Sequence, residues 1–140
     1  MINQQLENLF QKYISAFKRY DLAAVQQYYQ LPCTLHTPDK IAYLENDTHF
    51  KQEFDDVFTV LGHANTQNII ATKASYNLSV GDALDVCIDW AFVDDKNEVF
   101  SDFCAFYHLV KVEQQYKIIN VVSHDLSNSV TLRFDLVITA

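Results

Sequence analysis

The stretch ALDVCIDWAFVDDKNEVFSDFCAFYHLVKV, residues 83–112, carries the strongest fold signal in this chain of 140 residues. Over residues 83–93 every second side chain is apolar, which predicts a half-buried β-strand. Residues 98–112 form a second long apolar segment, and the four residues between the two segments are typical of turns. The stretch therefore predicts two antiparallel strands joined by a short connection. One face of the first strand would carry Leu84, Val86, Ile88, Trp90 and Phe92.

Outward from this hairpin, residues 66–80 and 115–125 also alternate and predict further strands. The earlier part of the chain is mainly helical in pattern, with apolar residues at three- and four-residue spacing over 3–20 and 48–61. A shorter helix is expected over 22–30, because Asp21 can cap its start and Pro32 disfavours helix just before it. Residues 33–45 predict two short strands around a turn. The order α-α-β-β-α-β-β-β-β predicts an α+β fold, with helices covering one face of an antiparallel sheet.

Strand register follows from the apolar pattern, because a shift of one residue would expose the buried set. A four-residue turn at 94–97 would pair Phe92 with Val99 and Trp90 with Ser101. The same register places Asp89 opposite Asp102, where two like charges would destabilise the pair. Either the register slips there or the two aspartates serve a partner or ion site, and we favour a slip or simple solvation over a metal site. The predicted inner face comprises Ile70, Ala74, Tyr76, Leu78 and Val80 on one strand, and Val99, Ser101, Phe103, Ala105, Tyr107 and Leu109 on another.

Composition restricts the function classes. The 18 acidic and 10 basic residues give a net charge of −8, and an acidic surface repels phosphate backbones and anionic membranes. Nucleic acid and membrane are therefore not expected as partners. The absence of a transmembrane-length apolar run or a signal-peptide pattern predicts a cytoplasmic protein. No metal or other cofactor is expected, since the sequence lacks metal-ligand spacing and a glycine-rich phosphate loop.

Two stretches resemble the nuclear transport factor 2-like superfamily. These are FQKYISAFKRYDLAAVQQYYQLPCTLHTPD (10–39), with its two helices joined by Asp-Leu, and YHLVKVEQQYKIINVVSHD (107–125). The resemblance implies a cystatin-like cone over residues 1–125, in which a curved antiparallel sheet wraps around helices and encloses a pocket. Many members dimerise through the outer face of the sheet. Because the corresponding face here is apolar at its centre, we expect a homodimer through that face.

The superfamily includes enzymes of a polyketide cyclase and ketosteroid isomerase branch, whose catalytic residues can be compared with the matching positions of this sequence. Ketosteroid isomerase uses a carboxylate base, a tyrosine and a protonated aspartic acid. By resemblance the tyrosine matches Tyr13, whereas the base position holds Thr37 and the acid position holds Tyr107. A threonine hydroxyl cannot take a carbon-bound proton at neutral pH, so this mechanism is not expected. The Asp-Arg-Asp site of limonene epoxide hydrolase is not expected either, because Arg19 and Arg133 lie outside the predicted inner strands.

The inward-facing positions predict a pocket with aromatic walls and few polar anchors. Its tyrosine hydroxyls could donate hydrogen bonds to a ligand oxygen. Equally, the aromatic residues could form a core whose hydroxyls are satisfied locally. The expected ligand-binding residues are Tyr13, Phe17, Tyr76, Trp90, Ser101, Phe103, Tyr107 and Ser123.

The candidate catalytic residues are Tyr13, Tyr107, His124 and Asp102. The two tyrosines could polarise a carbonyl, and His124 with Asp102 could form an acid–base dyad if the register differs. The resemblance instead places Ser123 inward and His124 outward. His36 should point away from the side of Thr37, and an ordinary surface or interface histidine is the favoured interpretation of both histidines.

The C-terminal residues SVTLRFDLVITA (129–140) alternate once more between apolar and polar side chains. We expect residues 126–140 to form an ordered extension with a strand, packed on a sheet edge or on the dimer partner. Three functions remain open. The first is binding of a small apolar ligand, the second is isomerase, dehydratase or cyclase activity on a small carbonyl compound, and the third is a non-catalytic dimeric interaction module.

Overall fold

The computed structural model describes residues 1–139. Two helices lead into two strands, a third helix follows, and the remaining chain is mostly β-structure. The helices are α1 (Ile2–Lys18), α2 (Leu22–Gln26) and α3 (Asp47–His63). The strands are β1 (Tyr29–His36), β2 (Ile41–Leu44), β3 (Thr66–Leu78), β4 (Leu84–Asp94), β5 (Val99–Val112), β6 (Gln115–His124) and β7 (Phe134–Leu136).

The seven strands form one curved, unclosed sheet in the order β2-β1-β6-β5-β4-β3-β7. Neighbouring strands are antiparallel except β1 and β6, which run parallel. The inner face of the sheet packs against α1 and α3, so that the core lies between these layers. This architecture confirms the predicted α+β fold with an additional C-terminal strand. None of the helices described in residues 1–139 is long and apolar enough to cross a membrane.

The second helix is shorter than predicted. Asp21 caps it as expected, since its carboxylate accepts a hydrogen bond from the Ala24 amide at 3.1 Å. The helix nevertheless ends at Gln26, and β1 begins at Tyr29. The Ile118 amide of β6 donates to the Tyr28 carbonyl at 2.8 Å. Pairing with the sheet therefore draws this segment out of the helix, which a local helical pattern does not reveal.

The predicted register between β4 and β5 is wrong by two residues. Trp90 pairs with Phe103, and Phe92 pairs with Ser101. Phe100 is an extra residue in β5, because the next pair along the ladder joins Val93 to Val99. A shift of two residues keeps each side chain on its predicted face, except near the bulge, where Val99 is exposed.

The correct register also removes the predicted charge repulsion. Asp89 lies opposite Cys104, and Asp102 lies opposite Ala91. The two aspartates are therefore not directly opposed, and the favoured explanation of a register slip is confirmed.

A second bulge changes the buried side of β3. Ala71 pairs with Trp90 and Lys73 with Asp89, which leaves one extra residue between the two pairs. Before this bulge the inward positions are odd-numbered, so Ile69 is only 3% exposed while Ile70 is 39% exposed. The prediction that Ile70 faces inward is wrong for this reason, since a single inserted residue inverts the alternation.

The C-terminal extension first crosses the outer face of the sheet. We call residues 125–133 the strap. The Cys104 thiol donates to the Asp125 carbonyl, the Leu132 amide donates to Ser75 Oγ at 2.8 Å, and the Arg133 amide donates to Asn77 Oδ1 at 2.8 Å. The chain thus passes from β6 over β5 towards β3.

Beyond the strap, the chain turns around the edge of the sheet. There β7 pairs antiparallel with β3, with Leu136 opposite Ala74 and Phe134 opposite Tyr76. Leu136 and Ile138 are 4% and 8% exposed. The extension therefore adds an edge strand and closes one side of the core.

The strap also covers part of the outer face that we expect to form a homodimer. Ser75 and Cys87 on this face are almost fully buried within the single chain. Ile70, Val99 and Phe100 remain exposed elsewhere on the sheet. The homodimer through the outer face stays a prediction.

Candidate functional site

A cavity of about 220 Å³ lies between the helices and the inner face of the sheet. Helices α1 and α3 form one wall, and β1, β4, β5 and β6 form the other. Most of the lining is apolar, with a few polar side chains at its two ends. The lining residues are Tyr13, Ile14, Phe17, Tyr29, Leu35, His36, Thr37, Lys40, Glu53, Phe54, Val57, Ile69, Trp90, Phe92, Phe103, Tyr107, Val121 and Ser123.

Three buried tyrosines lie together at the inner end of this cavity. We call Tyr13, Tyr29 and Tyr107 the tyrosine cluster. The Tyr13 and Tyr29 hydroxyl oxygens are 2.7 Å apart, and Trp90 Nε1 donates to the Tyr107 hydroxyl at 2.9 Å. The rings of Tyr13 and Tyr107 pack edge to face with centroids 6.3 Å apart. The sheet supplies Trp90 and Tyr107, α1 supplies Tyr13, and the start of β1 supplies Tyr29, so all four groups sit on regular elements.

The tyrosine cluster together with Trp90 has a surplus donor. The three hydroxyls and the indole each carry one donor hydrogen, so there are four. Two hydrogen bonds join these groups in pairs, Trp90 to Tyr107 and Tyr13 to Tyr29, and they use two of the four hydrogens. The hydroxyl hydrogen of Tyr107 and that of one of Tyr13 and Tyr29 therefore remain for other acceptors. A buried donor without an acceptor is unfavourable, so this position favours a ligand oxygen or a water molecule.

Burial also fixes the protonation state of the cluster. The pKa of each of Tyr13, Tyr29 and Tyr107 is raised well above 10.0, first because burial removes the phenolate from water. Electrostatic repulsion from a neighbouring tyrosine adds to the increase in each case. At neutral pH these groups are hydrogen-bond donors, and none of them is a base.

We expect this burial to appear in the pH dependence of stability. Tyrosines of the unfolded chain lose protons near pH 10, whereas those of the cluster keep them, so the free energy of unfolding should fall as pH rises above 10. Each tyrosine should contribute up to about 1.4 kcal/mol per pH unit in that range. Urea denaturation between pH 8 and pH 11 would measure the slope. The Y13F/Y29F/Y107F variant should have a shallower slope, and equal slopes would contradict a buried cluster.

The mouth of the cavity is polar. His36 ends β1, and Thr37 begins the turn that leads to Lys40. The Lys40 ammonium forms an ion pair with Glu53 of α3 at 2.9 Å. The Glu53 carboxylate raises the pKa of Lys40 through this hydrogen bond and through its charge. The ion pair thus joins the β1–β2 turn to α3 beside the opening.

Six of the eight residues expected to bind a ligand line this cavity: Tyr13, Phe17, Trp90, Phe103, Tyr107 and Ser123. Tyr76 and Ser101 do not line it. Tyr76 is buried under the edge of the sheet, where its ring packs on Phe134 and its hydroxyl donates to Asn3. Ser101 lies near the start of β5, opposite Phe92. The two-residue change in register brings Phe103 rather than Ser101 next to Trp90.

Tyr29 and His36 line the cavity, although the sequence pattern does not predict either position. The helical pattern places Tyr29 in the second helix, but it starts β1. His36 was expected to point away from the side of Thr37, yet both residues line the cavity. The alternation ends at His36, because the Thr37 amide donates to the Lys40 carbonyl at 2.9 Å and forms a turn there. The turn signal Pro38-Asp39 was the available clue.

The proposed dyad of His124 and Asp102 is not brought to the cavity. Both side chains are exposed, and neither is among the residues that line it. Tyr13 and Tyr107 do line it, and so does Thr37. Of the titratable groups at the mouth, which also include Lys40, His36 and Glu53 are the cavity's candidates for proton transfer. Within residues 1–139 no group of three His, Cys, Asp or Glu side chains is arranged to hold a metal ion.

A curved, mainly antiparallel sheet that packs on helices, with a cavity between the layers, is the architecture of the nuclear transport factor 2-like superfamily. Residues 4–126 match the family model described as "NTF2-like protein (DUF6841)". The chain belongs to this family, and residues 127–140 lie outside the matched range. No protein with a curated function matches the chain.

Solved structures agree on the fold. An NTF2-like protein of unknown function from Shewanella oneidensis MR-1 is 16% identical, with a TM-score of 0.72 over 89% of this chain and 100% of that one. A protein of unknown function with a cystatin-like fold from Nostoc punctiforme PCC 73102 is 10% identical, with a TM-score of 0.71 over 86% and 87%. A protein from Shewanella frigidimarina NCIMB 400, provisionally assigned as a ketosteroid isomerase, is 12% identical, with a TM-score of 0.66 over 84% and 92%. At such low identity these likenesses concern the fold alone.

Proposed function

We propose that this protein binds a small, largely apolar molecule that carries one oxygen acceptor. The observation that carries the proposal is the surplus hydroxyl donor of the tyrosine cluster, which lies at the inner end of a mainly apolar cavity. A neutral carbonyl or ether oxygen would accept that hydrogen bond. The apolar body of the ligand would then contact rings such as Phe17, Phe54 and Phe103.

The volume of the cavity limits the size of the ligand. About 220 Å³ accommodates one or two fused rings. The uncharged tyrosine cluster disfavours an anionic group at the inner end, because a buried charge without a compensating partner is unfavourable. A bicyclic ketone therefore represents the proposed class well.

Trp90 is the only tryptophan of the chain and lines the cavity, so its fluorescence reports on binding there. We expect 1-tetralone to cause a saturable change in this fluorescence. Its hydrocarbon analogue tetralin, which has the same rings without the oxygen, should bind about tenfold more weakly because it leaves the hydroxyl donor unpaired. No saturable response to either compound, or equal affinities, would contradict the proposal.

An enzyme of the isomerase, dehydratase or cyclase type is the second candidate. The observation in its favour is that His36 and Glu53 lie at the mouth of the same cavity as the tyrosine donors. Enolisation requires a hydroxyl on the carbonyl and a base within reach of the adjacent α-carbon, so this candidate requires a ligand whose α-carbon faces the mouth. Deuterium exchange at the α-carbon of bound tetralone, followed by NMR, distinguishes the two candidates. Exchange that is lost in the His36→Gln or Glu53→Gln variant supports the enzyme, and binding without exchange supports a binding protein.

A further inference from the structure

A second cavity, of about 380 Å³, lies on the opposite side of α1 from the core. One wall is a single face of the helix, since its lining residues at positions 5, 8, 9 and 12 recur at helical spacing. The other walls are the connection between α2 and β1 at residues 27–28 and the β5–β6 hairpin at residues 114–117. We call this cavity the polar cleft. It shares no lining residue with the cavity described above.

The walls of the polar cleft are held together by direct contacts. The Lys117 ammonium donates to the Gln27 carbonyl, and the Ile118 amide donates to the Tyr28 carbonyl at 2.8 Å. The hairpin turns tightly at Glu113 and Gln114, both of which have a positive φ. The shape of the cleft is therefore preformed.

The charge of the polar cleft differs from that of the chain as a whole. The chain has a net charge of −8, yet the ten described residues that line the cleft include two lysines, Lys12 and Lys117, and no acidic residue. A third ammonium group, that of Lys111, lies 5.7 Å from the ring centroid of Tyr116 at the cleft wall. Positive charge concentrated in a concave surface attracts anions.

The remaining groups that line the polar cleft are suited to form hydrogen bonds with the hydroxyl groups of a ligand. Five side-chain amides line the cleft, and each offers both donors and an acceptor. Tyr28 and Tyr116 are half-buried and add ring surface beside their hydroxyls. Amides, tyrosines and ammonium groups together match a ligand that has several hydroxyls, an apolar ring edge and one negative charge.

We propose that the polar cleft binds a sugar that carries an anionic group, either a carboxylate or a phosphate. The ammonium groups of Lys12 and Lys117 contact the anion, and the amides contact the sugar hydroxyls. This site is separate from the cavity of the proposed function, so the two can be occupied and tested independently.

NMR titration of the ¹⁵N-labelled full chain tests this proposal with D-glucuronate and D-glucose 6-phosphate as probes and neutral D-glucose as the control. Both anionic sugars should shift the amide signals of residues 115–117 in a saturable manner at millimolar concentrations. Glucose should bind at least about tenfold more weakly, because it lacks the charge-assisted contact. The proposal is overturned if neither anionic sugar shifts those signals, or if glucose binds as tightly as the anionic sugars.

Two matched variants separate a specific contact from a general charge effect. Lys12→Glu should weaken binding of both anionic sugars by about tenfold or more. Lys18→Glu makes the same change of charge at an exposed position on the same helix, outside the cleft, and should alter binding less than about twofold. Equal losses in the two variants would contradict a site at the cleft.

Discussion

Deletion of residues 127–140 should lower the free energy of unfolding by about 3–6 kcal/mol. The loss follows from Leu136 and Ile138, which are 4% and 8% exposed, because burial of each such side chain contributes about 1.5–3 kcal/mol. The deletion would also expose Tyr76, whose ring packs on Phe134, and would leave β3 as an unpaired edge. Urea denaturation of the full chain and of the 1–126 variant would measure the difference.

Two neighbouring substitutions control for non-specific effects of truncation. Leu136→Ala removes a buried side chain and should destabilise the protein by about 2–3 kcal/mol. Val137 is 66% exposed, so Val137→Ala should change stability by less than about 0.5 kcal/mol. If the truncated protein is as stable as the full chain, or if the two substitutions have equal effects, the extension does not close the core.

Substitution of Ser123 by phenylalanine should abolish binding in the cavity next to the tyrosine cluster. The Ser123 side chain lines this cavity of about 220 Å³, and a phenyl ring at that position would occupy the space proposed for the ligand. The expected loss of affinity for 1-tetralone is at least about hundredfold. Because the ring enters an existing cavity, the stability of the protein should change by no more than about 1–3 kcal/mol. Fluorescence of Trp90 would measure the affinity, and urea denaturation would measure the stability.

His124→Phe is the matched control for this experiment. His124 follows Ser123 in β6, and its exposed side chain belongs to the opposite face of the sheet. Its substitution should leave the affinity for tetralone within about twofold of the original value. A folded Ser123→Phe variant that still binds tetralone with full affinity would place the ligand elsewhere.

The sequence predicted the fold well where one local pattern dominates. The alternation over 83–93 and the helical spacing over 3–20 and 48–61 each identify an element, because a half-buried strand and an amphipathic helix have distinct periods. The register was harder to predict. The connection between β4 and β5 is one residue longer than predicted and Phe100 adds a further residue, so the pairing shifts by two, and the bulge after Ala71 inverts the buried side of β3. Such bulges depend on packing against distant elements, which the local sequence does not encode.

The residues of the candidate site were predicted only in part, because local periodicity identifies some of them and not others. Tyr13, Trp90 and Tyr107 lie within long regular elements, so their inward orientation follows from periodicity. Tyr29 and His36 lie at the two ends of β1, where a helix gives way to a strand and a strand gives way to a turn. Periodicity is undefined at such boundaries. The partnership of Tyr29 with Tyr13 also depends on a contact between residues 16 positions apart.

The path of the C-terminal extension could not be predicted from the sequence either. Its alternation predicted a strand, but the strap reaches β3 only by crossing β5 and β4 on the outer face. Ser75 and Asn77 guide this path by accepting backbone hydrogen bonds from Leu132 and Arg133. The strap also explains why Ser75, a polar residue on the outer face, is almost fully buried.

Infrared spectroscopy of bound 1-tetralone, labelled with ¹³C at the carbonyl, is the most direct test of the central claim that a tyrosine hydroxyl binds a ligand oxygen. A hydrogen bond to the carbonyl lowers its stretching frequency. The frequency in the complex should therefore lie below that in cyclohexane, and it should move back towards the cyclohexane value in the Y13F/Y29F/Y107F variant. A frequency in the wild-type complex equal to that in cyclohexane, or a lowered frequency that the three substitutions leave unchanged, would contradict the claim.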